Sequence, residues 1–142
     1  MFKLMGIYSY IITRDYGFAP NPFYGYGTLA TCKPGIRKGA SVGDWVLGTG
    51  SCDKRDDSLC QKMIYAMQVQ EILTLNDYWE DNRFYNTRPV MNGSKKQMYG
   101  DNIYHYDSVK RIFIQENPHH ILKNGENNFC KFPKGPKREE CF

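Results

Sequence analysis

The chain has 142 residues and a formal net charge of +4, a length that one compact domain accounts for. It holds 11 Tyr, 8 Phe, 13 Gly and 7 Pro, which favours a mostly β or α+β domain rich in turns over a helical bundle. No window approaches the ~18 apolar residues of a membrane span. No basic region precedes a long apolar stretch at the N-terminus, so no secretory signal is expected and the expected location is cytoplasmic.

In chain order, Tyr8 to Thr13 reads as a first strand, β-branched and aromatic throughout. Arg14 to Gly27 follows as a long aromatic loop, because Pro20 and Pro22 forbid a regular helix and three glycines permit tight turns. Loops of this kind in compact domains often carry function, and equally often form a lid whose aromatics join the core. Thr28 to Lys38 is broken by Pro34-Gly35, with a short strand before the break and a turn or single helical turn after it. Val42 to Ser51 is the clearest stretch. A tight turn at Gly43-Asp44 leads into the apolar run Trp45-Val46-Leu47, and Gly48-Thr49-Gly50-Ser51 ends it. Met63 to Leu73 follows, and its Met67-Gln68-Val69-Gln70 part alternates as a half-buried strand should. The two runs read as consecutive antiparallel strands. The small residues at the end of the first predict a bare rim that a flat ligand could approach.

Thr74 to Asn82 predicts a short helix, with Thr74 as its cap, Asp77 in the capping-box position and acidic residues in its first turns. Arg83 to Asp101 reads as irregular, with a turn at Asn92-Gly93. Ile103 to Tyr106 and Lys110 to Gln115 read as strands. The domain is expected to occupy 1–122. Residues 123–142, polar and interrupted by Pro and Gly, are expected to be a poorly packed tail unless Phe129 and Phe132 anchor it.

The five cysteines are an odd number without C-x-x-C spacing. This points to reduced thiols, with a Cys52–Cys60 bridge as the alternative. Charge is uneven: residues 1–50 carry five Lys/Arg against two Asp. A weakly basic surface is compatible with nucleic acid, and equally with surface lysines that only keep the protein soluble.

No H-E-x-x-H, G-x-S-x-G or phosphate-loop pattern is present, and Gly25-Tyr26-Gly27 lacks a third glycine. His119-His120 lacks companion ligands, so no metal or cofactor is expected. Two constellations remain. Tyr16, Phe18, Phe23, Tyr24 and Tyr26 offer flat faces, while Arg14, Lys33, Arg37 and Lys38 offer phosphate contacts. Nucleobases need that combination, because every base has a π-face and a charged backbone. Asp15, Asn21, Thr49, Ser51, Asp101 and Asn102 supply donors and acceptors for a base edge. The same tyrosines would equally suit a packed lid. The second constellation is a nucleophile, Thr31 or Cys32, beside Lys33 as base, with Glu71 on the later strand.

The order of the strand at Ser9–Thr13, the basic turn Cys32–Lys38, Gly43–Ser51, Ile64–Val69 and the acidic aromatic helix at Tyr78-Trp79 resembles the PUA-like superfamily, which includes the EVE, ASCH and YTH domains. The loop Asp15–Phe23 and the stretch Gln97–Tyr104 resemble the nucleotide modification associated domain 2 group, associated with DNA base-modification systems of bacteria and phages. The resemblance covers roughly residues 8–106. It implies an α+β fold: a small, mostly antiparallel, partly closed β-barrel with short flanking helices and a nucleic-acid or modified-base pocket. Some ASCH-type proteins resemble amidohydrolases that act on acylated cytidines through Lys, Thr and Glu. Here Thr31 precedes Lys33 at a different spacing.

The expected function is therefore a non-catalytic reader of a modified base, in DNA rather than RNA, or of a free nucleotide, within a modification or phage-defence system. The expected pocket joins Arg14, Asp15, Phe18, Asn21, Phe23, Tyr24, Thr31, Lys33, Arg37, Thr49, Gly50, Ser51, Tyr99, Asp101 and Asn102. The alternatives are a hydrolase using Thr31, Lys33 and Glu71, and an accessory domain with protein partners.

Overall fold

The structure is a computed structural model that describes residues 4–13, 17–52 and 58–116, and the backbone of 140–141. Its principal sheet has three strands, β1 (Ile7–Ile12), β2 (Trp45–Gly50) and β3 (Met63–Gln68), in the order β1-β2-β3. β2 and β3 pair antiparallel, as their sequence predicts, with Trp45 opposite Gln68 and a register shift between Gly48 and Thr49. β1 pairs with β2 in parallel, Ile7 opposite Trp45. A parallel pair needs a long crossover. The aromatic loop and α1 (Pro34–Gly39) supply it. The loop thus connects strand to strand across the sheet, which strand-by-strand reading could not reveal.

Two further pairs complete the described sheets. β4 (Leu73–Thr74) pairs with β7 (Glu140–Cys141), and β5 (Tyr104–Asp107) pairs with β6 (Ile112–Gln115). These pairs form separate two-stranded sheets, so the described sheets do not close on one another as the expected barrel would. The coarser expectation holds: the molecule is a small α+β fold of mixed and antiparallel sheets with short helices. The tail expected over 123–142 lies outside the described residues, except for the backbone of β7.

Between the sheets lie α2 (Leu75–Glu80), a 3-10 helix (Asn82–Thr87) and α3 (Lys95–Met98). Thr74 caps α2 by accepting from the Asp77 N–H at 3.0 Å, as its position predicts. The 3-10 helix and α3 put local order where an irregular segment is expected. The Asp81 side chain starts the first by accepting from the Arg83 N–H at 2.8 Å. Gln97 fixes the start of the second by accepting from the Ser94 N–H at 2.9 Å. No helix among the described residues is long and apolar enough to cross a membrane.

The core has two parts. One gathers Tyr10, Ile12, Leu29, Ala40, Val46 and Val69 beneath the main sheet. The other gathers Ala30, Leu75, Tyr78, Phe84, Ile103 and Tyr104. The adjacent residues Leu29 and Ala30, both fully buried, join them. The glycines of β2 serve this packing: an added Cβ at Gly48 would overlap the Tyr65 ring, and one at Gly50 would overlap the Leu59 carbonyl.

Candidate functional site: two clefts flanking one hairpin

Within the crossover, Ala19-Pro20 is joined by a cis peptide bond, and the chain then turns back on itself. Asn21 and Thr28 exchange backbone hydrogen bonds of 2.9 Å each, which closes residues 21–28 into a tight hairpin. Its tip needs left-handed backbone at Tyr24 (φ 66°) and Gly25 (φ 88°). The fully buried Asn21 side chain accepts from the Phe23 N–H at 3.0 Å and pins the near side of the turn. The aromatics of the loop are thereby dealt to different places. Phe18 packs against the second core cluster. Phe23 and Tyr24 are half-buried and meet edge to face at 6.4 Å, and Tyr26 meets the edge of Phe84 at 5.0 Å.

Beneath the hairpin lies a polar hub. Asp101, fully buried, accepts from Thr28 Oγ1 at 2.7 Å and from the Tyr78 hydroxyl at 2.8 Å. The Tyr78 hydroxyl also lies 3.1 Å from Thr28 Oγ1 and 3.0 Å from Thr87 Oγ1. Asn102 donates from its side chain to the carbonyls of Tyr78 and Phe84. Burial pushes the Asp101 carboxyl up to about 6, against the opposing pull of the Thr28 and Tyr78 hydrogen bonds. Burial, reinforced by the charge of Asp101, pushes the Tyr78 phenol far above its ordinary range. The hub ties hairpin 21–28, α2, the 3-10 helix and the start of β5 into one unit.

Two clefts, each of about 360 Å³, flank the hairpin. The first is lined by Tyr24, Trp79, Tyr85, Asn86, Arg88, Pro89, Val90, Gln97 and Glu116. Its cations sit on its rings. The Arg88 guanidinium lies 4.0 Å from the Trp79 ring centre and 4.8 Å from that of Tyr85. Lys96 Nζ lies 4.4 Å from the Tyr24 ring centre and 5.0 Å from that of Phe23. Arg88 also donates to the Trp79 carbonyl, and its Nε is buried without a partner among the described residues. His105 stacks on Trp79 at 4.1 Å and meets Glu116 at 2.8 Å. The second cleft lies between Gly25–Thr28 of the hairpin, Met67–Glu71 and the 3-10 helix residues Arg83 and Phe84. There Arg83 holds Glu71 bidentately at 2.9 and 3.1 Å and Asp81 at 2.7 Å, all at the surface.

The residues expected to form one pocket are distributed among several sites. Tyr24 reaches the first cleft, and Phe23 shares the Lys96 ammonium with it. Asn21, Asp101 and Asn102 are buried in and around the hub rather than presented to a ligand. Thr31 donates to the Phe18 carbonyl at 3.2 Å, Lys33 lies 4.8 Å from the Tyr10 ring centre, and buried Arg37 donates to the Cys32 carbonyl at 3.2 Å. Tyr99 closes α3, its N–H bonding to the Lys95 carbonyl at 3.1 Å. Arg14 and Asp15 lie outside the described residues.

The rim of β2 is covered. The Thr49 hydroxyl donates to the Tyr10 carbonyl at 3.3 Å, the Gly50 N–H bonds to the Lys62 carbonyl at 2.9 Å, and half-buried Ser51 follows. Gly50 also bridges Cys60, which brings Cys52 alongside. These two cysteines form a disulfide with Cα atoms 4.4 Å apart, in place of the reduced thiols expected there. Cys32 is a free, exposed thiol. The hydrolase trio has separate partners, Thr31 with Phe18, Lys33 with Tyr10 and Glu71 with Arg83. No group of three potential metal ligands occurs among the described residues.

Sequence reasoning did not bring Trp79, Tyr85, Arg88 and Lys96 into the site. Their signal was present: Tyr78-Trp79 and Phe84-Tyr85 followed by Arg88 repeat the mixture of rings and cations that singled out residues 14–38.

No curated protein and no solved structure matches the chain. Residues 4–135 match the family described as nucleotide modification associated domain 2 (Nmad2), a span that takes in both clefts, the hub and the hairpin between them. The match extends over most of the sequence, and the chain belongs to the nucleotide modification associated domain 2 family.

Proposed function

We propose that this domain is a nucleotide-binding module that holds a base, and in its biological setting a modified DNA base, in the first cleft. The observation that carries this reading is the pairing of rings with cations that no carboxylate bonds directly. Among the described residues neither Arg88 nor Lys96 has a carboxylate partner, yet both lie over aromatic faces around one opening. A base stacked on Tyr24 or Tyr85 places its phosphate within the field of both cations. Membership in a family named for nucleotide modification supports the ligand class. The PUA-like kinship and the link to base modification or phage defence belong to the same proposal.

The test is binding to a panel of nucleotides and single-stranded oligonucleotides carrying ordinary and modified bases, at low salt. Tyr24→Ala is expected to weaken binding roughly tenfold, the loss of one stacking contact. Absence of binding across the panel would end this reading.

A further inference from the structure

The two clefts share one dividing wall. Along the hairpin, Tyr24 lines the first cleft and the next residue, Gly25, lines the second. Along the 3-10 helix, Phe84 lines the second and the next residue, Tyr85, lines the first. The wall is thus a single residue step on each element, and adjacent Cα atoms are only about 3.8 Å apart. Each side of the wall carries an aromatic face, Tyr24 with Tyr85 on one side and Tyr26 with Phe84 on the other.

The balance of charge on the two sides differs. The first cleft is lined by Arg88 and by Glu116, which meets His105, and Lys96 lies over the Tyr24 ring at its edge, so two cations stand against one carboxylate. Among the described residues the second has a single cation, Arg83, held between Glu71 and Asp81. Two carboxylates around one guanidinium repel phosphate. They suit instead a base edge that donates, because each Glu71 oxygen accepts once from Arg83 and keeps a lone pair. Exposed Gln68, whose Nε2 also donates to the Gly43 carbonyl, and exposed Gln70 add amide donors and acceptors to the same cleft. Carboxylate and amide side chains pair with the exocyclic amines of cytosine and adenine.

We infer that the second cleft is a subsite for the neighbouring base of the same single strand, one bearing an exocyclic amine, with the phosphates on the Arg88 and Lys96 side. This rests on the reading of the first cleft as a base site, and it extends the ligand from a mononucleotide to a strand of two or more nucleotides.

Calorimetric titration with deoxyadenylate, deoxycytidylate and thymidylate, each as the 5′-monophosphate and as the 5′-phosphorylated dinucleotide, tests it. The dinucleotides of adenine and cytosine are expected to bind roughly tenfold tighter than their monophosphates, one further stacking contact. Dithymidylate, which lacks the amine, is expected to gain less. Tyr26→Ala should remove the dinucleotide gain and leave monophosphate binding unchanged. Gln70→Ala, a substitution of an exposed side chain, should reduce that gain in the same direction. Glu71→Gln should narrow the preference over thymine. Equal binding of mono- and dinucleotides, or a gain that survives Tyr26→Ala and Gln70→Ala, overturns the subsite while the first cleft stands. Failure of every probe to bind overturns both. The corresponding diribonucleotides show whether the 2′-hydroxyl matters, and a gain with either sugar supports the subsite.

Discussion

The hub and the first cleft lie a few residues apart in sequence and behave as opposites. In the hub, Thr28, Tyr78, Thr87 and Asp101 meet one another and leave no side-chain oxygen facing water. At the cleft, Arg88 lies over the Tyr85 ring and Lys96 over the rings of Tyr24 and Phe23, near the surface where a ligand can join them. Asp101 and Asn102 look from sequence like groups for a base edge, and Tyr24 like its stacking partner. The fold draws the first two inward to hold the hairpin and leaves the tyrosine outside. The difference separates stability from binding, and it can be broken by substitution.

The largest effect is expected at Asp101. Asp101→Ala leaves the Thr28 and Tyr78 hydroxyls without their acceptor in a buried site and should cost about 3–4 kcal/mol, read from urea unfolding. The second effect concerns pH. The Asp101 carboxyl is raised from 3.8 to about 6 by burial, so its contribution is fully present below 3.8 and is lost as pH rises through about 6. Relative to Asp101→Asn, which cannot ionise, the native protein should lose roughly 2–3 kcal/mol between pH 4 and 7. A constant difference between the two across that range would contradict a buried, titrating Asp101. The exposed carboxyls of Asp81 and Asp107 act in the opposite direction, at lower pH. Hydrogen bonds from Arg83 and from the Lys110 backbone, respectively, hold them below the ordinary carboxylate range. The smallest effect on folding is expected at Lys96, which is exposed. Lys96→Ala should leave the unfolding midpoint within about 0.5 kcal/mol of native. It should flatten the dependence of log affinity on log salt by about 0.7, the loss of one phosphate contact to a single strand.

Much of the local structure was legible. The alternation at Met67–Gln70 places Met67 and Val69 inward and Gln68 and Gln70 outward, as observed. The Thr74 cap needs only its own neighbours. β1 reads from Tyr8 to Thr13 as β-branched and aromatic, which marks the strand but not its faces, and its outward residues Ile7 and Ile11 are 68% and 56% exposed. What was not legible depends on long-range contact. The parallel pairing of β1 with β2 is decided across more than thirty intervening residues. The burial of Asp101 depends on Thr28 and Tyr78, which lie 73 and 23 positions away. The glycines of β2 suggested an open rim, because sequence cannot show that Tyr65 and Leu59 already occupy the space. Sequence does not single out Arg88, because its stacking on Trp79 and Tyr85 requires α2 and the 3-10 helix to turn toward each other.

The hub also sets a count of hydrogen atoms. Five close oxygen–oxygen contacts link Thr28, Tyr78, Thr87, Asp101 and the Phe84 carbonyl. With Asp101 ionised, the three hydroxyls bring three hydrogens, which go to the two Asp101 oxygens and the Phe84 carbonyl. The contacts of Tyr78 with Thr28 and Thr87 are then oxygen against oxygen with nothing between. A fourth hydrogen, on Asp101, lets the carboxyl donate to Tyr78 and frees the Tyr78 hydrogen for one of the threonines. Protonation of Asp101 therefore satisfies one more contact within the cluster, set against the Thr28, Tyr78 and backbone donors that favour the carboxylate, and a change that pulls Thr28 away from Asp101 shifts that balance.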